Sequence, residues 1–233
     1  MWLDSFRSRT AWTAHANARE YDAPVDPWRL VRVDPDAVER FSVVSLLWGL
    51  GRVRGGDWDR PENTRALGET SLFEGLRQRY VEGRAWPETD HYDEVVDRVA
   101  DGERFHGCES EAELREAYFP AVDELYESVR SEGYRPNRGA VYGDPSEVER
   151  VHDLEPLVLV GRDGEVLWSE GFHRLGVAQL LDVDRVPVYV LRRHAEWQAV
   201  RDAVAGGADP TGLGVDPDHP DLRDLHDPRD ATG

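Results

Sequence analysis

The residues of this chain best suited to chemistry stand in one short run, Glu170-Gly171-Phe172-His173-Arg174. A glycine between a strand-like and a helix-like apolar pattern permits a sharp turn and close backbone approach to a ligand. The first-turn amides of the following helix point outward without intrahelical partners, at the positive end of the helix dipole. That geometry suits an anion. In this reading Gly171, Phe172 and His173 offer backbone amides to phosphate, and Arg174 adds a planar fork matched to it. His173 is a donor that also exchanges a proton near neutrality. Glu170 is placed to act as a base, a metal ligand or an amide cap. The plain alternative is a structural turn, with Arg174 paired to one of the 47 acidic residues.

A second candidate is Gly55-Gly56-Asp57-Trp58-Asp59, flanked by Arg52, Arg54 and Arg60. Asp57 and Asp59 are spaced to hold Mg²⁺ together with substrate phosphates; the alternative is a turn around a packed Trp58. Arg84, Trp86, His91 and Tyr92 either line a pocket or pack between helices. His106 and Cys108 are close, but no further ligands follow at a metal-site spacing. Neither a Gly-x-Ser-x-Gly element nor a P-loop pattern is present.

The elements that must position these groups are read from periodicity. Trp2 to Tyr21 reads as a helix anchored by Phe6 and Trp12. Trp28 to Val33 alternates as a half-buried strand and meets Asp34-Pro35, an N-cap signal for a short helix reaching about Phe41. Gly51 to Asp59, Gly-rich and studded with Arg, reads as a short strand followed by a turn. Helical stripes run over Leu72–Tyr80, Tyr92–Val99 and Glu111–Arg130, the last kinked or split at Pro120 and stopped at Gly133. Leu157–Val160 and Glu165–Trp168 flank Arg162-Asp163-Gly164, a hairpin signal. A helix over Phe172–Leu181, a strand over Val186–Leu191 and a helix over His194–Val204 complete the expected body. Residues 206–233 carry seven Asp and two Arg with many Gly and Pro, and read as a loose acidic tail or a strap, with Leu222 and Leu225 facing the body.

The segment Asp163 to Arg192 resembles the ParB/sulfiredoxin-like domain family. It has that family's strand, tight turn, strand, Gly-x-x-Arg element opening a helix (Gly171 to Arg174), and Val186-Pro187-Val188 strand. Trp28 to Arg40 is similar to the family's opening strand and helix, and Glu124 to Tyr134 to its helix before the hairpin. The resemblance implies an α/β fold with a small mixed sheet. An N-terminal helical extension occupies 1–27, the domain 28–205 with a long helical insertion at about 42–110, and an acidic tail 206–233. It implies a nucleotide of the CTP or ATP class with Mg²⁺, or a phosphorylated small molecule, bound by Gly171, Phe172, His173 and Arg174. Glu170, His173 and Arg174 would act in hydrolysis or phosphoryl transfer, with Asp57 and Asp59 at the metal. Phe172 stands where the sulfiredoxin branch has Cys, so sulfinic-acid chemistry is not expected. Two alternatives remain: a DNA-binding or nuclease-like protein with a face of Arg52, Arg54, Arg60, Arg192 and Arg193, and a non-enzymatic ligand-sensing or scaffold module.

The 233 residues hold 28 basic and 47 acidic side chains, for a net charge of -19. All 28 basic residues are arginine, and isoleucine is absent. That composition is expected of a halophilic archaeal protein. In molar salt the Debye length is about 3 Å, so this charge does not exclude a nucleic-acid partner. No apolar run reaches about 18 residues, which argues against a membrane span. Met1-Trp2-Leu3-Asp4 lacks a secretory pattern, and the single Cys108 cannot form an internal disulfide. A cytoplasmic protein is the expectation.

Overall fold

The computed structural model describes residues 3–137, 151 and 154–226. The chain divides into two compact units and passes between them four times. Unit 1 is Met1–Arg65, Pro136–Gly171 and Arg185–Gly233; unit 2 is Ala66–Arg135 and Phe172–Asp184.

Unit 1 is built on a mixed sheet. Its strands are β1 (Val31–Val33), β2 (Arg40–Phe41), β3 (Arg52–Arg54), β4 (Arg65–Ala66, at the unit boundary), β5 (Leu157–Val160), β6 (Val166–Glu170) and β7 (Val186–His194), in the order β1-β7-β5-β6-β2-β4 with β3 also paired to β7. β5 and β6 form the expected antiparallel hairpin, with Gly164 at φ 87 in its turn. β5 is buried throughout, and reads accordingly as an uninterrupted apolar run, Leu-Val-Leu-Val. β7 runs parallel to both β5 and β3 and antiparallel to β1. Pro187 is tolerated near the start of β7, opposite Arg32 of β1.

Helix α1 (Leu3–Glu20) docks on this unit through Phe6, which is fully buried with Leu50, Leu159, Leu167 and Leu191. Trp12, expected as a second anchor, is instead 67% exposed. Phe6 and Trp12 lie six positions apart, which places them on different faces of a 3.6-residue helix. The short helix expected before Phe41 is only a 3₁₀ turn, Pro35–Ala37, capped by Asp34, and the chain returns to the sheet as β2.

Unit 2 is helical: α2 (Ser71–Tyr80), α3 (Asp90–Ala100), α4 (Glu111–Glu113) running through a π-helical turn Leu114–Tyr118 into α5 (Phe119–Glu132), and α6 (Phe172–Leu180). Pro120 therefore does not split the helix. The irregularity lies one turn earlier, where the π turn leaves Pro120 near the start of α5, a position that needs no amide donor. Helices approach closely where glycine allows it. A Cβ on Gly75 would collide with His91, and one on Gly176 would meet Leu76 at 2.5 Å. The units do not coincide with an insertion at 42–110: β3 belongs to the sheet of unit 1, while unit 2 continues to Arg135.

Helix α7 (Ala195–Ala205), N-capped by His194, follows β7, and α8 (Arg223–His226) ends the described residues. Between them the chain is a strap rather than a loose tail. Asp221 and Leu222 are 1% and 0% exposed. Asp221 accepts from Arg193 Nε at 2.8 Å and Trp197 Nε1 at 2.9 Å, and pairs with Arg29 and Arg201. Arg201 also reaches Asp224 at 2.8 Å. Burial works to raise the Asp221 carboxyl, but Arg193, Arg201 and Arg29 win and hold it far below the usual carboxylate range. No helix among the described residues is long and apolar enough to cross a membrane.

Candidate functional site

Glu170 ends β6, half-buried, and Gly171 follows at φ 85, a backbone region closed to most side chains. A Cβ there would meet the Pro156 ring at 2.9 Å, so within unit 1 this glycine makes room for a proline. Phe172 opens α6 in unit 2. His173 and Arg174, in its first turn, are committed to partners inside that unit. Arg174 Nε donates to the Tyr134 hydroxyl at 2.8 Å, Nη2 donates to the Arg135 carbonyl at 2.6 Å, and the guanidinium lies 4.4 Å from the Tyr134 ring centre. Nη1 has no partner among the described residues. Arg174 is thus paired to a backbone carbonyl and a phenol rather than to a carboxylate.

His173, half-buried, joins a hydrogen-bonded chain through buried Tyr118 and His91 that no spacing in the sequence announces. Its Nε2 is 2.7 Å from the Tyr118 hydroxyl, which is 2.6 Å from His91 Nε2; His91 Nδ1 is 3.1 Å from Ser71 Oγ. A phenol has one proton to give, so Tyr118 donates to one imidazole and accepts from the N–H of the other. Two proton arrangements satisfy the chain with every member neutral, and they differ in the tautomer of both imidazoles. Burial, then the neighbouring imidazoles of His106 and His91, lowers His173 to about 3. Burial above all lowers His91 to about 4. Burial likewise pushes the Tyr118 phenol up. All three are neutral at pH 7.

His106 stands beside this chain, its ring 5.1 Å from that of His173 and 5.2 Å from that of Tyr118. It occupies the first central position of a tight turn closed by the Phe105–Cys108 backbone pair, with φ 46 at His106 and φ 90 at Gly107. Two positive φ values define the hairpin turn that favours Asn-Gly; a histidine in the first place costs about 1–2 kcal/mol.

Asp57 and Asp59 come together in unit 1, but around a guanidinium. Arg162 Nη2 is 2.8 Å from Asp59 and 3.2 Å from Asp57, and the Arg162 amide donates to Asp59 at 2.7 Å. Arg60 Nε donates to the same Asp57 oxygen, Oδ1, at 2.8 Å. Burial opposes ionisation of Asp59, yet the Arg162 hydrogen bonds hold its carboxyl below the ordinary range. This donor set does not fit Mg²⁺, since both carboxylates already balance Arg162. Among the described residues no group of three or more His, Cys, Asp or Glu is arranged to hold a metal.

Trp86 and Tyr92 line a shallow cavity of about 350 Å³ in unit 2, together with Arg79, Arg115, Phe119 and Asp123; Arg84 and His91 do not. Asp123 already accepts from Arg79, Tyr80 and Trp86.

The arginines named on the remaining face separate into two sets. Arg60 is paired to Asp57, and Arg193 is buried against Asp221. Arg52, Arg54 and Arg192 are gathered by the parallel pairing of β3 and β7, which sets Arg52 opposite Arg192. Among the described residues none of these three has a carboxylate at ion-pair distance. Burial, then Arg54, lowers the Arg52 guanidinium; burial, then Arg52 and Arg54, lowers Arg192. Arg52 lies 4.2 Å from the Trp48 ring centre and Arg192 5.5 Å from that of Trp58. Arg192 and Arg193 are neighbours in β7, and strand alternation sends them to opposite faces. Comparison with family models, with curated proteins and with solved structures finds no match to this chain.

Proposed function

We propose that this protein binds a phosphate-bearing ligand, and that unit 1 meets the ligand's charge with Arg52, Arg54 and Arg192. One observation carries the reading. In a chain with 47 acidic and 28 basic residues, three guanidiniums are held side by side with no carboxylate at ion-pair distance among the described residues, and Arg52 and Arg54 disfavour the charge on Arg192. Like charges confined this way are stabilised by an anion, and the guanidinium fork matches phosphate oxygens. Indole rings beneath Arg52 and Arg192 fix their direction.

The order of hairpin, Gly171 bend, helix α6 and Val186-Pro187 strand agrees with a ParB/sulfiredoxin-like assignment of the sheet, and we keep that assignment as part of the proposal. A nucleotide of the CTP or ATP class at Gly171 to Arg174 is the reading that resemblance favours. Arg174 Nη1 is its remaining support, because Nε and Nη2 are already bonded. The DNA-binding alternative draws on the same three arginines.

Calorimetric titration of pyrophosphate, Mg-nucleotide and a short oligonucleotide in molar KCl tests the proposal. Arg52→Ala/Arg192→Ala is expected to abolish binding, and Arg174→Ala to leave it. The reverse pattern would move the site to the Gly171 bend. Absence of binding by the wild type would remove the reading.

A further inference from the structure

Beside the arginine cluster, unit 1 holds large apolar side chains out in solvent. Trp12 is 67% exposed, Leu47 53% and Trp48 43%. They do not belong to a loosely held segment. One stripe of α1 grips the backbone beneath them: Arg9 Nη1 donates to the Leu47 carbonyl at 2.8 Å, Thr13 Oγ1 to that of Trp48 at 3.1 Å, and Asn17 Nδ2 to that of Gly51 at 2.8 Å. Thr10 Oγ1 accepts from the Leu50 amide at 3.0 Å. Gly49, at φ 72, lets Thr10 come this close, since a Cβ would sit 2.5 Å from the Thr10 amide nitrogen. Trp12 lies one helical step from Thr13 and so flanks the gripping stripe.

A rigid surface carrying indoles beside guanidiniums that have no carboxylate partner among the described residues suits one class of polyanion. We infer that unit 1 binds single-stranded nucleic acid, its phosphates met by Arg52, Arg54 and Arg192 and its bases stacked on Trp48 and Trp12. The inference rests on the phosphate reading above and adds the bases to it. Every base has a flat face, so stacking on indole is tolerant of sequence, while arginines beside the platform follow the backbone. A duplex keeps its base faces inside the helix and has nothing to lay on an exposed tryptophan. Three arginines cover a short stretch of backbone, and the net charge of -19 opposes a longer contact. Arg52 lies over Trp48 at 4.2 Å, so one face of the platform is covered by a cation and the base takes the other face or displaces the guanidinium onto phosphate.

The test compares three probes in molar KCl by fluorescence anisotropy and competition: a labelled oligothymidylate, an abasic strand of the same length, and pyrophosphate. Wild type should bind oligothymidylate more tightly than the abasic strand. Trp48→Ala should lose about tenfold for oligothymidylate and leave the abasic strand unchanged. Trp12→Ala, which removes an exposed ring of α1, is the second variant and should show the same selectivity. Equal binding of both strands by wild type, with neither substitution having an effect, overturns the stacking inference and leaves the phosphate reading standing. Failure of all three probes to bind overturns both.

Discussion

In unit 1 the buried polar atoms around Asp221 are charged and balanced by ion pairing. In unit 2 those around Tyr118 are neutral and balanced by where the protons sit. Arg29, Arg193 and Arg201 surround one deeply buried carboxylate, with Asp224 at the margin. Arg29 Nη2 lies 3.5 Å from Asp221 and 3.2 Å from Asp224, yet neither it nor Nε makes a hydrogen bond among the described residues. The Ser71–His91–Tyr118–His173 chain holds no formal charge at pH 7. A guanidinium cannot neutralise itself by losing a proton, so the sheet must bring an acid to it. An imidazole can, so the helices only exclude water. The two units should therefore fail under different insults.

Removing the acid from unit 1 gives the largest effect. Asp221→Asn leaves buried Arg193 without its counter-charge and Arg29 and Arg201 with Asp224 alone, and should lower stability by about 3–5 kcal/mol in equilibrium denaturation. A loss under about 1 kcal/mol would place these arginines in water and undo the contrast with unit 2.

Acid should reverse the order of fragility. The histidines of unit 2 have folded pKa values below their unfolded value of about 6.5, so the unfolded chain takes up protons first as pH falls. Their stability contribution should decline from about pH 6.5, by about 2 kcal/mol per imidazole at pH 5, and continue down toward about 4 for His91 and about 3 for His173. Asp221 has a depressed folded pKa, so its contribution is whole above about pH 3.9 and is lost only below it. Hydrogen exchange at pH 7 and pH 5 should show residues 66–135 and 172–184 losing protection while β5 and β7 keep theirs; uniform loss would contradict it.

Tyr118→Phe removes the hydroxyl that both imidazoles share. It should cost about 1–3 kcal/mol, with the loss seen by exchange in α3 and α6. The smallest effect belongs to the arginine cluster of unit 1, which has no carboxylate partner among the described residues. Arg52→Gln and Arg54→Gln should change stability by no more than about 0.5 kcal/mol, because no ion pair is broken and a like-charge neighbour is removed.

How much of this the sequence disclosed follows from distance along the chain. The β5–β6 hairpin, the Gly133 helix stop, the bend at Gly171 and the helices of unit 2 rest on neighbouring residues, and all were legible. Trp12 departs from expectation because a tryptophan in a helix promises burial, whereas the facing stripe here is Arg9, Thr10, Thr13 and Asn17, polar residues that dock by hydrogen bonding to backbone. The tail was read from composition, which hid the fact that one of its seven Asp is the counter-ion of the core. His91, Tyr118 and His173 are 27 and 55 positions apart, beyond any periodic signal. The His106-Gly107 pair was the one local hint, a turn dipeptide with an unusual first residue. The arginines of β3 and β7 were named together, but which of them would keep a carboxylate depended on strand register, and no local pattern separates Arg192 from Arg193.

The order in which the chain is synthesised gives the strap a further consequence. Arg29, Arg193 and Arg201 all leave the ribosome before Asp221 does, and unit 1 cannot close its core until that residue is made. Unit 2 has its last residue at Asp184 and can finish first. A nascent chain paused between these points would carry a completed helical unit and a sheet still waiting for its acid.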